Sequence, residues 1–79
     1  MNQHTFTLSS DYIELHNLLK FLAIADSGGM AKQMVAEGLI EVDGEIEFRK
    51  TRKVYAGSVV RAFDEEIHVV AGAGEAAAG

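Results

Sequence analysis

Arg49-Lys50-Thr51-Arg52-Lys53 places four of the chain's seven cations in five consecutive residues. The whole chain carries a formal charge of −5, so the residues outside this segment hold three cations against twelve acids, a net −9. Clustered cations repel one another unless an anion lies beside them, so the segment is suited to gripping a polyanion. Arginine takes phosphate with paired hydrogen bonds, while lysine acts as a mobile point charge. In an extended segment Arg49, Thr51 and Lys53 would point to one side, and Lys50 and Arg52 to the other. Two other readings compete. The cations could protect a solvated sheet edge from pairing, or they could neutralise Glu41, Glu45 and Glu47 just upstream.

A second anion-seeking feature is Ser27-Gly28-Gly29, which opens a helical stretch. Unpaired N–H groups and the positive end of the helix dipole gather there, and the glycines allow close approach of a phosphate. Lys32 lies one turn further on. The plainer reading is a tight interhelical turn with a capping serine. Asp26-Ser27 also resembles the modified serine of acyl carrier proteins. Those are helical bundles with an apolar residue after the serine, whereas Gly28 follows here and the C-terminal half reads as strands.

Other chemistry finds little support. His4, His16 and His68 fall in three separate elements without ligand spacing and read as surface or boundary imidazoles, so no metal site is expected. The chain has no cysteine, which excludes disulfides and thiolate metal sites. No nucleophile–base pair or phosphate-loop sequence occurs, so neither catalysis nor a cofactor is expected.

These residues need a scaffold, and the composition limits it. Seventy-nine residues make one domain with a small core, and 48 % apolar content argues against wholesale disorder. No apolar run approaches the ~18 residues of a membrane span, and Met1-Asn2-Gln3-His4 has no signal-peptide pattern. The expected location is the cytoplasm, with no membrane partner. The folded domain is expected over residues 1–71, with a disordered tail over 72–79.

Alternation of Phe6 and Leu8 with Thr5 and Thr7 predicts a strand from His4 to Leu8. Asp11 followed by Glu14 is a helix-start signal, and Tyr12, Leu15, Leu18, Leu19 and Leu22 share one helical face, which predicts a helix from Tyr12 to Ala23. A second helix is predicted from Gly28 to Glu37, capped by Asp26 or Ser27 and ended by Gly38. From Leu39 the period changes to two. Ile40, Val42, Ile46 and Phe48 alternate with acids around a turn at Asp43-Gly44. A two-residue loop would set Val42 opposite Glu45, so a three-residue loop is expected to keep the apolar set together. Val54-Tyr55, Val59 to Phe63 and Glu66 to Val70 supply further strands. The fold class is therefore α+β: two short packed helices against a small, mostly antiparallel sheet, with the N-terminal strand at an edge.

In this order the pieces resemble the S-four RNA-binding domain, also called the αL motif, and in particular its small stand-alone bacterial members. The resemblance covers Tyr12 to Val60. Tyr12-Ile13-Glu14-Leu15 and Leu18-Leu19-Lys20 are similar to the first helix, and Ser27-Gly28-Gly29-Met30-Ala31-Lys32 to the opening of the second. Glu37-Gly38 and Ile40-Glu41-Val42-Asp43-Gly44 are similar to the glycine, strand and turn, and Glu47-Phe48-Arg49-Lys50, Lys53-Val54 and Gly57 to the basic segment and closing turn. Many larger members carry arginine at the position of Gly28; the family's turn usually carries asparagine at that of Asp43, and its aspartate after the closing glycine is Ser58 here.

The resemblance implies non-catalytic binding of structured RNA, ribosomal or transfer, with the ribosome as a possible partner; a monomer is expected. It implies contacts from Ser27, Gly28, Lys32, Asp43, Gly44, Arg49, Lys50, Arg52 and Lys53, while Glu41, Glu45 and Glu47 should face away from the RNA. The alternative is a protein-interaction module that docks its basic edge on an acidic ribosome-associated or RNA-processing partner.

Overall fold

The computed structural model describes residues 2–72. The chain runs β1 (Asn2–Thr7), β2 (Tyr12–Glu14), α1 (Leu15–Phe21), α2 (Gly28–Ala36), β3 (Ile40–Val42), β4 (Glu45–Ile46), β5 (Lys53–Tyr55), β6 (Val59–Ala62) and β7 (Glu65–Val70). One sheet has the order β1-β7-β6-β3-β4, and β2 pairs with β5 in a small second sheet. β1 joins the edge parallel to β7, while the other pairs are antiparallel. This is the expected α+β class. Apart from Gly72, the tail expected at residues 72–79 lies outside the described residues.

The apolar periodicity sets the core. Leu15, Leu18 and Leu19 of α1 and Ala31, Met34 and Val35 of α2 are buried with Ile40, Val42, Val60, Ala62, Ile67 and Val69 of the larger sheet. Full burial of each large aliphatic side chain contributes about 1.5–3 kcal/mol, so this shared cluster holds the helices on the sheet.

The first helix begins three residues later than its pattern predicts. Tyr12, Ile13 and Glu14 instead pair with Tyr55, Val54 and Lys53. The Asp11–Glu14 capping box does not form: Glu14 is the N-cap residue and makes no side-chain cap bond. The first free amides of the helix find carbonyls across the chain, Leu15 N–H donating to Arg52 O (2.9 Å) and His16 N–H to Lys50 O (3.0 Å). A helix start needs acceptors, and here the basic segment supplies them.

The second helix follows its pattern. Ser27 Oγ accepts from Met30 N–H at 3.1 Å. At the other end Gly38 takes φ +76°, with Gly38 N–H donating to Val35 O and Leu39 N–H to Met34 O, which is a Schellman closure.

The hairpin corrects the expected three-residue loop. Val42 pairs with Glu45 and Glu41 with Ile46, so the loop is Asp43-Gly44 alone. Both residues have positive φ, +53° and +87°, as the two-residue turn that matches strand twist requires. Turn chemistry outweighs alternation because β4 is a short edge with no outer partner among the described residues. Its Ile46 stays 54 % exposed. The turn is also pinned to β6: the Asp43 carboxylate accepts from Val59 N–H (2.9 Å) and Ser58 Oγ–H (3.2 Å).

Candidate functional site

The basic segment is a turn, not the extended strand that alternation suggested. Arg52 N–H donates to Arg49 O at 3.1 Å, and the Lys50 and Arg52 carbonyls point inward to the start of α1. With its backbone fixed this way, the side chains project outward, and the two arginines converge instead of facing opposite ways.

They converge on Glu47, which was expected to face away. Glu47 is only 8 % exposed and lies beneath the turn. Its Oε2 accepts from the Arg49 backbone N–H (2.9 Å) and Arg49 Nε (3.1 Å), and its Oε1 accepts from Arg52 Nη1 (2.5 Å). Hydrogen bonds from the Arg49 side chain first, then from Arg52, lower the Glu47 carboxyl to about 2 against the burial that opposes ionisation. The same contact raises the Arg49 pKa and keeps its guanidinium charged. A guanidinium carries five N–H donors, so each arginine retains donors for a ligand after binding the carboxylate. The Arg49 side chain remains 72 % exposed and that of Arg52 35 %. Glu47 therefore acts as a template that holds two guanidinium groups in place.

Two shallow grooves meet at this turn. One is lined by Lys32 and Gln33 of α2 together with Phe48, Arg49, Lys50 and Thr51. The other is lined by Arg49, Thr51, Arg52, Lys53 and Tyr55. Arg49 and Thr51 belong to both, so Lys32, Arg49, Lys50, Arg52 and Lys53 form one continuous surface. The Lys53 ammonium lies 5.0 Å from the Tyr12 ring centroid, and Tyr12 packs against Tyr55. That contact orients the lysine and attaches an aromatic pair to the basic face.

The other sequence-predicted residues sit differently. Gly28 lies one turn before Lys32 on the same helical face, and a side chain there would meet nothing within 4 Å. Ser27 serves as the N-cap. Asp43 and Gly44 line a separate groove with Val59, Arg61, Glu66 and His68, and the Asp43 carboxylate is occupied by β6. The structure thus gathers the five cations and leaves the hairpin turn outside their grooves. Sequence reasoning offered Glu47 only as one of three acids that the cluster could neutralise, and it did not single out Phe48 and Tyr55. The available signal was an acid two residues before one arginine and five before another, which gains meaning only once the turn is known.

The histidines each pair with a glutamate: His4 with Glu65 (3.1 Å), His16 with Glu14 (3.0 Å) and His68 with Glu66 (2.7 Å). Glu66, also 8 % exposed, accepts from Arg61 as well. Its carboxyl is lowered chiefly by His68, and that of Glu65 by Asn2 and then His4. No cluster of three or more metal-ligating side chains occurs among the described residues. Nor, among them, is any helix long and apolar enough to cross a membrane.

Comparison with known proteins agrees with this fold. The S4 domain family model matches residues 6–70. YbcJ of Escherichia coli (strain K12) is 41 % identical over 68 residues, spanning 85 % of this chain and 97 % of YbcJ. Its solution structure, described as revealing an αL motif involved in RNA binding, superposes with a TM-score of 0.68 at 39 % identity, covering 89 % of this chain and 90 % of that one. RlbA of Bacillus subtilis (strain 168), named a probable ribosome maturation protein, is 37 % identical over 54 residues, or 68 % of this chain and 76 % of RlbA.

Proposed function

Because the chain belongs to the S4 domain family, we propose that it binds structured RNA, ribosomal or transfer, through the surface formed by Lys32, Arg49, Lys50, Arg52 and Lys53. The observation that carries this reading is the convergence of five of the seven cations on adjoining grooves. The rest of the chain then holds two cations against twelve acids, a net −10. A chain of that charge repels RNA everywhere except at this face, which orients the encounter.

The binding is non-catalytic and rests on phosphate contacts. Arg49 and Arg52 offer fixed donors, and Lys32, Lys50 and Lys53 add point charges around them. Ser27 and Gly28 extend the surface along α2, where the open space at Gly28 leaves the helix start accessible to a phosphate. Asp43 and Gly44 act at a distance by fixing the hairpin that leads into the basic turn. The description of YbcJ's motif supports an RNA ligand and the name of RlbA a ribosomal setting; in this reading the protein acts in the cytoplasm and engages the RNA as a monomer.

The test is binding of ribosomal and transfer RNA fragments across a salt series. Engagement of about four phosphates predicts that log affinity falls with log salt at a slope of roughly −3 to −4. A flat dependence would contradict the reading. Partners that copurify and survive nuclease treatment would point instead to an acidic protein.

A further inference from the structure

Phe48 is 64 % exposed beside the basic turn. It lines one groove with Lys32, Arg49 and Lys50. Its position is built. Gly38 lies against the ring, where a Cβ would come within 3.1 Å of Phe48 Cε1 and 3.4 Å of Cζ. Ile46 closes in on the same glycine, its Cγ2 lying 3.6 Å from that Cβ position. The tip of the ring is thus seated on backbone while much of its surface stays open to solvent.

Exposure alone would mean little, since Phe63 and Phe21 are as exposed. Phe63 occupies a tight turn beside Asp64, and Phe21 packs edge-on against Phe6 at 5.2 Å. Of these three, only Phe48 lines a groove with three cations; Tyr55, which lines the adjoining groove with Arg49, Arg52 and Lys53, is packed against Tyr12. We propose that Phe48 is a stacking platform for an unpaired nucleobase, with the flanking phosphates held by Lys32, Arg49 and Lys50. This rests on the RNA-binding reading and narrows its ligand.

The narrowing follows from geometry. In a continuous A-form duplex each base face is covered by its neighbours, and the wide minor groove shows only base edges and 2′-hydroxyls. A single protein ring reaches a base face only where the stack is interrupted. The RNA must therefore present a bulge, a loop or an end at this groove, next to the phosphates that the cations hold. An apolar protein segment would cover the ring equally well, but Lys32 and Lys50 beside it would be left without anionic partners.

The test compares two labelled RNA pools of equal length, hairpins with a randomised loop and fully paired duplexes. The parent, Phe48→Leu and Phe48→Tyr proteins are titrated with each, and folding is checked by circular dichroism. The parent should favour the loop pool by roughly tenfold to a hundredfold, the effect of one base–aromatic stack. Phe48→Leu should fall to the duplex level on both pools, and Phe48→Tyr should keep the preference. Ultraviolet crosslinking of the parent to the loop pool should yield an RNA-bearing peptide that contains Phe48. An undiminished preference in Phe48→Leu would overturn the inference. Equal binding of both pools by the parent would overturn it while leaving the RNA reading in place. Failure to bind either pool would overturn both.

Discussion

Glu47 and Glu66 are the two buried charged residues among those described, each 8 % exposed and each holding two partners. Around Glu47 the partners are Arg49 and Arg52, and Lys50, Lys53 and Lys32 lie close by without a salt bridge to any described residue. Around Glu66 they are Arg61 and His68, in a groove that also holds Asp43. The same device gives opposite surfaces. A buried carboxylate orders its cations in both places, but the uncompensated neighbours decide whether the region offers charge to a ligand or closes on itself. The first region is suited to binding, and the second joins β6 to β7.

The largest break in this contrast comes from removing all four cations of the turn. Arg49→Ala, Lys50→Ala, Arg52→Ala and Lys53→Ala together should reduce RNA affinity by more than about a hundredfold, because several charge-assisted phosphate contacts go at once. The loss has two parts that can be separated. The triple change Lys32→Ala, Lys50→Ala and Lys53→Ala should weaken binding strongly with little change in melting temperature, since none of these lysines forms a salt bridge among the described residues and only the Lys53–Tyr12 contact is lost. Arg49→Ala with Arg52→Ala should lower both, because it strands a buried carboxylate. Equal melting temperatures for the two variants would show that Glu47 does not need its arginines.

Changes to single charges sharpen the contrast. Lys32→Glu should weaken binding by roughly tenfold, the effect of about 1.4 kcal/mol lost where α2 meets the basic turn. Arg61→Ala, at the other glutamate, should leave affinity within about twofold. A comparable loss from Arg61→Ala would mean that the RNA also covers the β6–β7 face.

The smallest effect is on acid stability. Glu47 releases its proton near 2 in the folded protein, below the ordinary 4.5. Between those values the unfolded chain binds more protons, so the contribution of Glu47 is fully present above about 4.5 and fades as pH falls toward 2. Acid-unfolding curves of Glu47→Gln should be flatter across that window than those of the parent. Curves of the same slope would mean that other carboxylates dominate.

Much of the scaffold was legible in the sequence because its signals are local. The capping serine, Gly38 at a left-handed closure and the alternating strands are each decided by neighbours within a few residues. The start of α1 was not, because Tyr12–Glu14 takes its conformation from pairing with β5, forty residues on, and backbone carbonyls replace the expected cap. The hairpin loop misled for a different reason: Asp-Gly is suited to a two-residue turn, and a short edge strand tolerates an exposed isoleucine. At the site, the density of cations was plain from composition. Their arrangement was not, since a turn that draws Arg49 and Arg52 to one carboxylate cannot be seen from alternation.

The most direct measurement is ultraviolet crosslinking of the tagged protein to RNA in living cells, followed by sequencing of the recovered RNA. The control is the variant lacking Lys32, Lys50 and Lys53, which keeps the arginine–glutamate turn. A peak on one structured region of ribosomal or transfer RNA, lost in the variant, is the predicted result. Recovery from the parent no greater than from the variant would contradict the account.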